Sequence, residues 1–211
     1  MENITKEAIE FFISNNNLMF GDFTLKSGRK SPYFFNTGSL CTGDQLYKMG
    51  KLYADLLKSI SDFNEATVIF GSAYKGIPLS VATAIALQGS DRASLRAVSD
   101  RKEVKTHGDN SAFIGLISNG DKAVIVDDVI SNGLTKMEAI EKLKVVGCST
   151  LGIIIAFDRC EPIDSTGKTA KQNLEELIGV KVYSLMNVFD LMKFKPEVSD
   201  LIEEHLNNFK F

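Results

Sequence analysis

An α/β fold, with a parallel sheet flanked by helices and a small N-terminal lobe above it, is predicted by three features of the 211-residue sequence. Short apolar, β-branched runs such as Val124 to Val126 suit strands buried on both faces. Other stretches repeat apolar residues at helical spacing, as Met137, Ile140 and Leu143 do before Gly147 ends the pattern. The two kinds of segment then alternate along the chain, which is the pattern of helices packed over a parallel sheet.

Element by element, Ile4, Ala8, Ile9, Phe12, Ile13 and Leu18 recur at helical spacing after Asn3 and Thr5 and predict an amphipathic first helix. Residues 22–36 read as a strand pair with Phe23 and Leu25 on one face, a turn at Ser27-Gly28-Arg29 and the aromatic run Tyr33-Phe34-Phe35. With the first helix they make the small lobe, about residues 1–40. Helix 43–60, strand 66–70, helix 76–88, strands 94–99 and 122–127, helix 134–146, strand 149–157, helix 169–178 and strand 181–186 build the main body. A last helix covers 196–208, and no repeat, low-complexity tract or linker divides the chain, so one domain over 1–211 is expected.

Composition narrows the function classes. Hydrophobic residues make up 44% and charged residues 24%, with a net charge of −3, which is ordinary for a globular protein and leaves no electrostatic footprint for nucleic acid. Cys41, Cys148 and Cys160 are widely spaced and form no C-x-x-C pair, so neither a disulfide framework nor a zinc site is suggested. The first residues, with Glu7 and Glu10, do not read as a leader, and no apolar run is long enough for a bilayer. A cytoplasmic protein without membrane or nucleic-acid partners is expected.

Open α/β sheets bind ligands beyond the carboxyl ends of their strands, so the segments after strands carry the candidate chemistry. Lys122 to Thr135 reads as a strand ending in Asp127 and Asp128, then a polar loop opening onto a helix. Ser131, Asn132, Gly133 and Thr135 are small or hydroxylic, so an anion can approach their amides at the positive end of the helix dipole. Asp127 and Asp128 can reach ribose hydroxyls or a hydrated Mg²⁺ where the strand end bends; a ligand-free helix cap is the competing reading. Gly71 to Pro78 permits close backbone approach, and Lys75 can face a diphosphate there, or simply be solvated. Arg101, Lys102, Lys105 and His107 fall in one polar stretch that reads as a mobile loop, able to close over a polyphosphate or merely exposed. Arg159 follows a strand and can fork onto a carboxylate, though a surface arginine is the default.

The stretch Ile125-Val126-Asp127-Asp128-Val129-Ile130-Ser131-Asn132-Gly133 resembles the ribose-5-phosphate loop of type I phosphoribosyltransferases, which bind 5-phosphoribosyl 1-diphosphate. Together with Phe23 to Asn36 and the Arg101-Lys102-Glu103-Val104-Lys105-Thr106-His107 loop, nearly the whole chain resembles the orotate phosphoribosyltransferases. The resemblance implies a type I phosphoribosyltransferase-like sheet with an N-terminal hood over the active site, Mg²⁺ as cofactor, and a homodimer whose catalytic loop reaches the partner's site. It further implies that Lys26, Tyr74 and Lys75 contact the phosphoribosyl diphosphate, that Val129, Ile130, Ser131, Asn132, Gly133, Leu134 and Thr135 surround its 5′-phosphate, and that Asp127 and Asp128 hold its ribose hydroxyls. Phe34 and Phe35 would frame orotate, Ser131 and Arg159 would hold its substituents and carboxylate, and Arg101, Lys102, Lys105 and His107 would clamp the diphosphate. Orotate N1 would then attack C1 with inversion, and no covalent enzyme nucleophile is needed.

This chain departs from the family pattern at four places. Ser131-Asn132-Gly133-Leu134 stands for Thr-Ala-Gly-Thr, so one hydroxyl donor to the phosphate is lost, a change worth about 1.5–3 kcal/mol that Thr135 can offset. Ser72 replaces a usual proline, Asp100 replaces an asparagine and is expected to point away from the diphosphate, and Gly108-Asp109-Asn110-Ser111 thins the loop's glycines. A transferase for another base and a phosphoribosyl-diphosphate sensor are the alternatives; the acidic balance and the retained Lys105 and His107 weigh against the sensor. Lys105 is expected to stabilise the departing diphosphate. Lys105→Ala should therefore lower single-turnover rates far more than it weakens orotate binding, and equal turnover by variant and parent would remove Lys105 from the mechanism.

Overall fold

The computed structural model describes residues 1–25, 28–102, 112–130 and 133–209. Helix α1 (Glu2–Ser14) buries Ala8, Ile9, Phe11 and Phe12. It stops short of Leu18, which the helical spacing had included, because Asn15 to Asn17 leave the helical region and Asn16 takes φ 57°, a conformation asparagine tolerates. Asn17 is buried and its amide donates to Asn36 O and Ser39 Oγ, both at 2.9 Å. These two hydrogen bonds tie the entry of the first strand to the chain that leaves the second.

Strands β1 (Leu18–Thr24) and β2 (Lys30–Phe35) form the antiparallel pair of the N-terminal lobe, with Leu18 opposite Phe35 and a register shift between Phe20 and Phe23. Helix α2 (Gly43–Ser59) begins with a capping box in which Thr42 and Gln45 satisfy each other's backbone N–H groups. Strand β3 (Val68–Gly71), helix α3 (Gly76–Ala86), strand β4 (Arg96–Asp100) and the two-residue strand β5 (Phe113–Ile114) follow. Then come β6 (Lys122–Val129), α4 (Leu134–Val145), β7 (Ser149–Asp158), α5 (Ala170–Ile178), β8 (Lys181–Asn187), α6 (Val188–Phe194) and α7 (Ser199–Asn207).

The main sheet has the order β5-β4-β3-β6-β7-β8, parallel except for β5, which runs antiparallel at the edge. β5 and α6 are the elements the apolar pattern did not predict. A two-residue strand is too short to show a period, and α6 follows β8 directly, with the Asn187–Asp190 capping box as the boundary between them. β6 also runs beyond Asp127, since its ladder with β7 continues to Val129 opposite Phe157.

Alternation along the strands sends side chains into two helix layers. Ile69, Val124, Val126, Ile154, Ala156 and Leu185 pack with α1, α2, α3, α6 and α7. Val68, Phe70, Ile125, Ile153, Ile155 and Val182 pack with α4 and α5 through Ala139, Leu143 and Leu174. Where β3, β4 and β6 begin, Asp121 joins them: it accepts from Thr67 Oγ1 at 2.9 Å and Ser118 N–H at 2.7 Å and pairs with Arg96. Burial pushes this carboxyl up, but those donors outweigh it and hold it below the usual range.

The contact between α2 and α3 rests on Gly50, where a Cβ would lie 2.2 Å from the carbonyl oxygen of Ala82. Gly50→Ala therefore must push the helices apart, and overpacking of this kind costs about 1–3 kcal/mol. A lower urea midpoint at unchanged slope is the expected result; an unshifted midpoint would show that the helices separate freely.

Candidate active site

The turn between β3 and α3 closes so tightly that neither flanking glycine can carry a side chain. A Cβ on Gly71 would sit 1.9 Å from Gly76 O, and one on Gly76 would sit 2.6 Å from the Gly71 carbonyl carbon. Gly76 N–H donates to Ser72 O at 2.8 Å, and the Ala73–Tyr74 peptide is cis. The turn presents Tyr74, 71% exposed, and Lys75 at the start of α3. Lys102 Nζ stands 5.4 Å from the Tyr74 ring centroid, so Tyr74, Lys75 and Lys102 come together at one edge. Arg101 does not join them: its backbone N–H donates to Ala112 O at 2.8 Å and its Nε to Phe113 O at 3.3 Å, which turn it onto the chain that returns along β5.

Asp127 and Asp128 lie within the last turn of the β6 ladder and are buried. Asp127 Oδ1 accepts from Asp128 N–H at 2.8 Å and its Oδ2 pairs with Lys136 Nζ at 2.5 Å. Asp128 Oδ1 accepts from Val129 N–H at 2.9 Å and its Oδ2 pairs with Lys75 Nζ at 2.7 Å. The two carboxylates are thus held apart by two lysines from helices α3 and α4. Lys136 is itself buried and also donates to Val129 O at 2.6 Å. Tyr53 OH supports the same strand end by donating to Asp127 O at 2.8 Å from α2.

After β6, Ile130 is buried, Gly133 takes φ 77° at the start of α4, and Leu134 and Thr135 face outward on its first turn. Asp100, at the end of β4, is buried and its carboxylate accepts from Ala73 N–H at 2.7 Å and pairs with Lys142 Nζ at 2.5 Å. The carboxylate expected to point away is therefore the link between the Lys75 turn and α4. Lys26, Lys105, His107, Ser131 and Asn132 lie outside the described residues.

On the lobe side, β2 separates Phe34 from Phe35. Phe34 stacks on Phe23 at 5.6 Å between centroids, whereas Phe35 is a core residue against Phe12 at 5.0 Å and Phe157 at 5.4 Å. Neighbouring residues of a strand point to opposite faces, so the two rings do not frame one ligand together. Arg159 lies beyond β7 with its guanidinium 4.3 Å over the Tyr33 ring. Its Nε and Nη2 donate to Glu161 Oε1 at 2.9 and 2.5 Å, and Nη2 reaches Ser31 Oγ at 2.9 Å. These hydrogen bonds of the guanidinium are thus on its Nε and Nη2 side.

Glu161 gathers further donors: Tyr33 OH at 2.9 Å, His205 Nε2 at 3.1 Å and Arg29 Nη2 at 3.3 Å. Burial alone would raise its carboxyl; Arg159, His205 and Tyr33 together bring it below the ordinary range. Burial also pushes the Tyr33 phenol up, which keeps it a donor. Sequence reasoning missed Lys136, Lys142, Glu161 and His205 as site residues. Glu161 stands two positions after Arg159 and was readable as its partner, whereas nothing local marks His205.

A six-stranded, mainly parallel sheet with an aspartate pair, a glycine turn and a lysine at its carboxyl edge, under a two-stranded lobe, defines a phosphoribosyltransferase of the type I class. The phosphoribosyl transferase domain family matches residues 42–183. An orotate phosphoribosyltransferase from Legionella pneumophila (strain Paris) is 45% identical over 196 residues, covering 91% of this chain and 89% of its own. One from Ruthia magnifica subsp. Calyptogena magnifica is 40% identical over 201 residues, covering 95% and 92%. The solved orotate phosphoribosyltransferase of Francisella tularensis has a TM-score of 0.83 at 30% identity, over 96% of this chain and 98% of that one. The chain belongs to the orotate phosphoribosyltransferase family.

Because the folded Glu161 carboxyl titrates below its ordinary value of 4.5, its stabilising contribution is complete above that value and is lost as pH falls through the lower folded one. The difference in urea midpoint between the parent and Glu161→Gln should therefore hold steady above the ordinary value of 4.5 and shrink as pH falls below it. A gap that stays constant through that fall would show that the carboxylate is not held ionised by its neighbours.

Proposed function

We propose that the chain transfers the 5-phosphoribosyl group of 5-phosphoribosyl 1-diphosphate to N1 of orotate, releasing diphosphate and orotidine 5′-monophosphate for pyrimidine nucleotide synthesis. What supports this reading is two groups at the carboxyl ends of adjacent parallel strands: Arg159 after β7, held by Ser31 and Glu161 over the Tyr33 ring, and Lys75, Asp127 and Asp128 after β3 and on β6. The first suits a planar ring bearing a carboxylate, and the second a phosphorylated sugar.

Breaking the C1–O bond puts positive charge on the sugar and negative charge on the diphosphate. The Lys75 side chain is half exposed, so it can pass from Asp128 to a diphosphate oxygen while ribose hydroxyls donate to the carboxylate it leaves. Asp128 then faces the growing sugar charge, and Asp127 keeps its lysine and holds the strand end still. The amides at the start of α4 receive the 5′-phosphate, with Thr135 on the same turn. Lys102, which stands over Tyr74 at that edge, would with Lys105 and His107 balance the charge of the departing diphosphate.

The residues present fit Mg²⁺ carried in by the substrate. Among the described residues no three His, Cys, Asp or Glu side chains gather into a cage, and both aspartates are already engaged by lysines. Magnesium bound to phosphates keeps most of its waters, so Asp127 and Asp128 would meet it only through water. When bound, it neutralises the leaving group. A second copy of the chain fits the apolar face of α3, where Val81 and Ile85 lie one turn apart at 44% and 56% exposure. In such a homodimer each catalytic loop serves the partner's site. No described helix is long and apolar enough to cross a membrane, and a cytoplasmic enzyme is in keeping with that.

Purified protein with 5-phosphoribosyl 1-diphosphate and Mg²⁺ should consume orotate, followed by its absorbance, but not uracil or hypoxanthine, and EDTA should stop the reaction. Arg159→Met should lower kcat/KM for orotate on the order of 100-fold, the usual scale for removing one partner of a buried charge pair. Orotate left unconsumed while the phosphoribosyl diphosphate binds would overturn the reading, as would an Arg159 variant that discriminates bases like the parent.

A further inference from the structure

The carboxyl-terminal helix α7 carries a side chain into the base-recognition side of the site. His205 is largely buried, and its Nε2 lies 3.1 Å from Glu161 Oε1, the same oxygen that receives Arg159 Nε at 2.9 Å, Arg159 Nη2 at 2.5 Å and Tyr33 OH at 2.9 Å. Glu161 Oε2 is taken by Arg29 at 3.3 Å. The carboxylate is therefore gripped from the lobe by Tyr33 and Arg29, from the loop after β7 by Arg159, and from α7 by His205. A carboxylate held from that many sides cannot rotate to follow a mobile arginine, so the arginine takes the direction the carboxylate sets.

His205 is placed by contacts that do not involve the ligand. Its ring meets Tyr33 edge-on at 5.9 Å and Phe209 at 5.1 Å, and Ile202, one turn earlier on α7, is fully buried in the core. Phe209 also lies under the Arg29 guanidinium at 5.2 Å. His205 thus lies against Glu161, which is 6% exposed.

We propose that His205 is a positioning residue for substrate selection: through Glu161 it aims the guanidinium of Arg159, so that α7 helps the enzyme to prefer a pyrimidine bearing a carboxylate. The inference rests on the reading that Arg159 receives that carboxylate. It goes beyond it by assigning the aim of Arg159 to a helix whose side chain meets Arg159's partner, Glu161.

Two substitutions separate the hydrogen bond from the packing. His205→Phe keeps the ring contacts with Tyr33 and Phe209 and drops the donor, whereas His205→Gln keeps a donor nitrogen at similar reach and drops the ring. His205→Phe should raise KM for orotate about tenfold, the effect of losing one hydrogen bond to a charged group, with kcat and KM for 5-phosphoribosyl 1-diphosphate within twofold of the parent. His205→Gln should stay close to the parent. In an Arg159→Met background His205→Phe should have no further effect on orotate KM, because the pathway to the ligand is already cut. An unchanged orotate KM in His205→Phe would overturn the proposal, and so would equal effects on both substrates or additive effects in the double variant. An Arg159→Met enzyme with parental orotate KM would instead remove the reading of Arg159 itself.

Discussion

Asp127 and Asp128 lie near the end of the central strand inside the protein, and two adjacent buried carboxylates persist there because each meets a lysine from a different helix layer. An uncompensated buried charge costs several kcal/mol, so the Asp127–Lys136 and Asp128–Lys75 pairs are conditions for β6 to end where it does. Strand alternation sends the two side chains to opposite faces, and the order β3-β6 in the sheet brings the turn carrying Lys75 within reach of Asp128. Asp100 adds a third link, joining the same turn to Lys142 on α4. These turns are in this way tied to one another by charge pairs within the chain itself.

The base side is built on a different plan. Glu161 holds residues 29, 33, 159 and 205 around one carboxylate, and most of these are more than a hundred positions apart in the chain. The lobe strands, the loop after β7 and the last helix therefore share one buried charge. On the proposed reading, sugar and phosphates would meet turns of the sheet, and the ring would meet residues gathered around Glu161 from the lobe, the β7 loop and α7.

Much of this was legible in the residues. Strands buried on both faces advertise themselves as β-branched runs, and helices with one apolar face show their period, so the order of the main body is readable. Boundaries were less so: Leu18 fits a helical repeat but follows three asparagines that end the helix, and β6 outruns its apolar run because pairing with β7 continues past the aspartates. Lys75, Asp128 and Arg159 drew attention because each follows a predicted strand, and Asp127 because it ends one. Phe35 was read as a ligand contact, but the pleat turns it into the core beside Phe12 and Phe157.

The chain's own residues determined the α/β class, the placing of chemistry at the carboxyl edge of the sheet, and the phosphoribosyl-diphosphate motif, because periodicity and short-range spacing are local properties. Tertiary structure alone decided which charges meet. Lys136, Lys142 and His205 carry no local mark of function, since an ionisable side chain acquires its role from the partner placed opposite it. That placement follows from strand order, helix layer and docking of the last helix, none of which a linear pattern encodes.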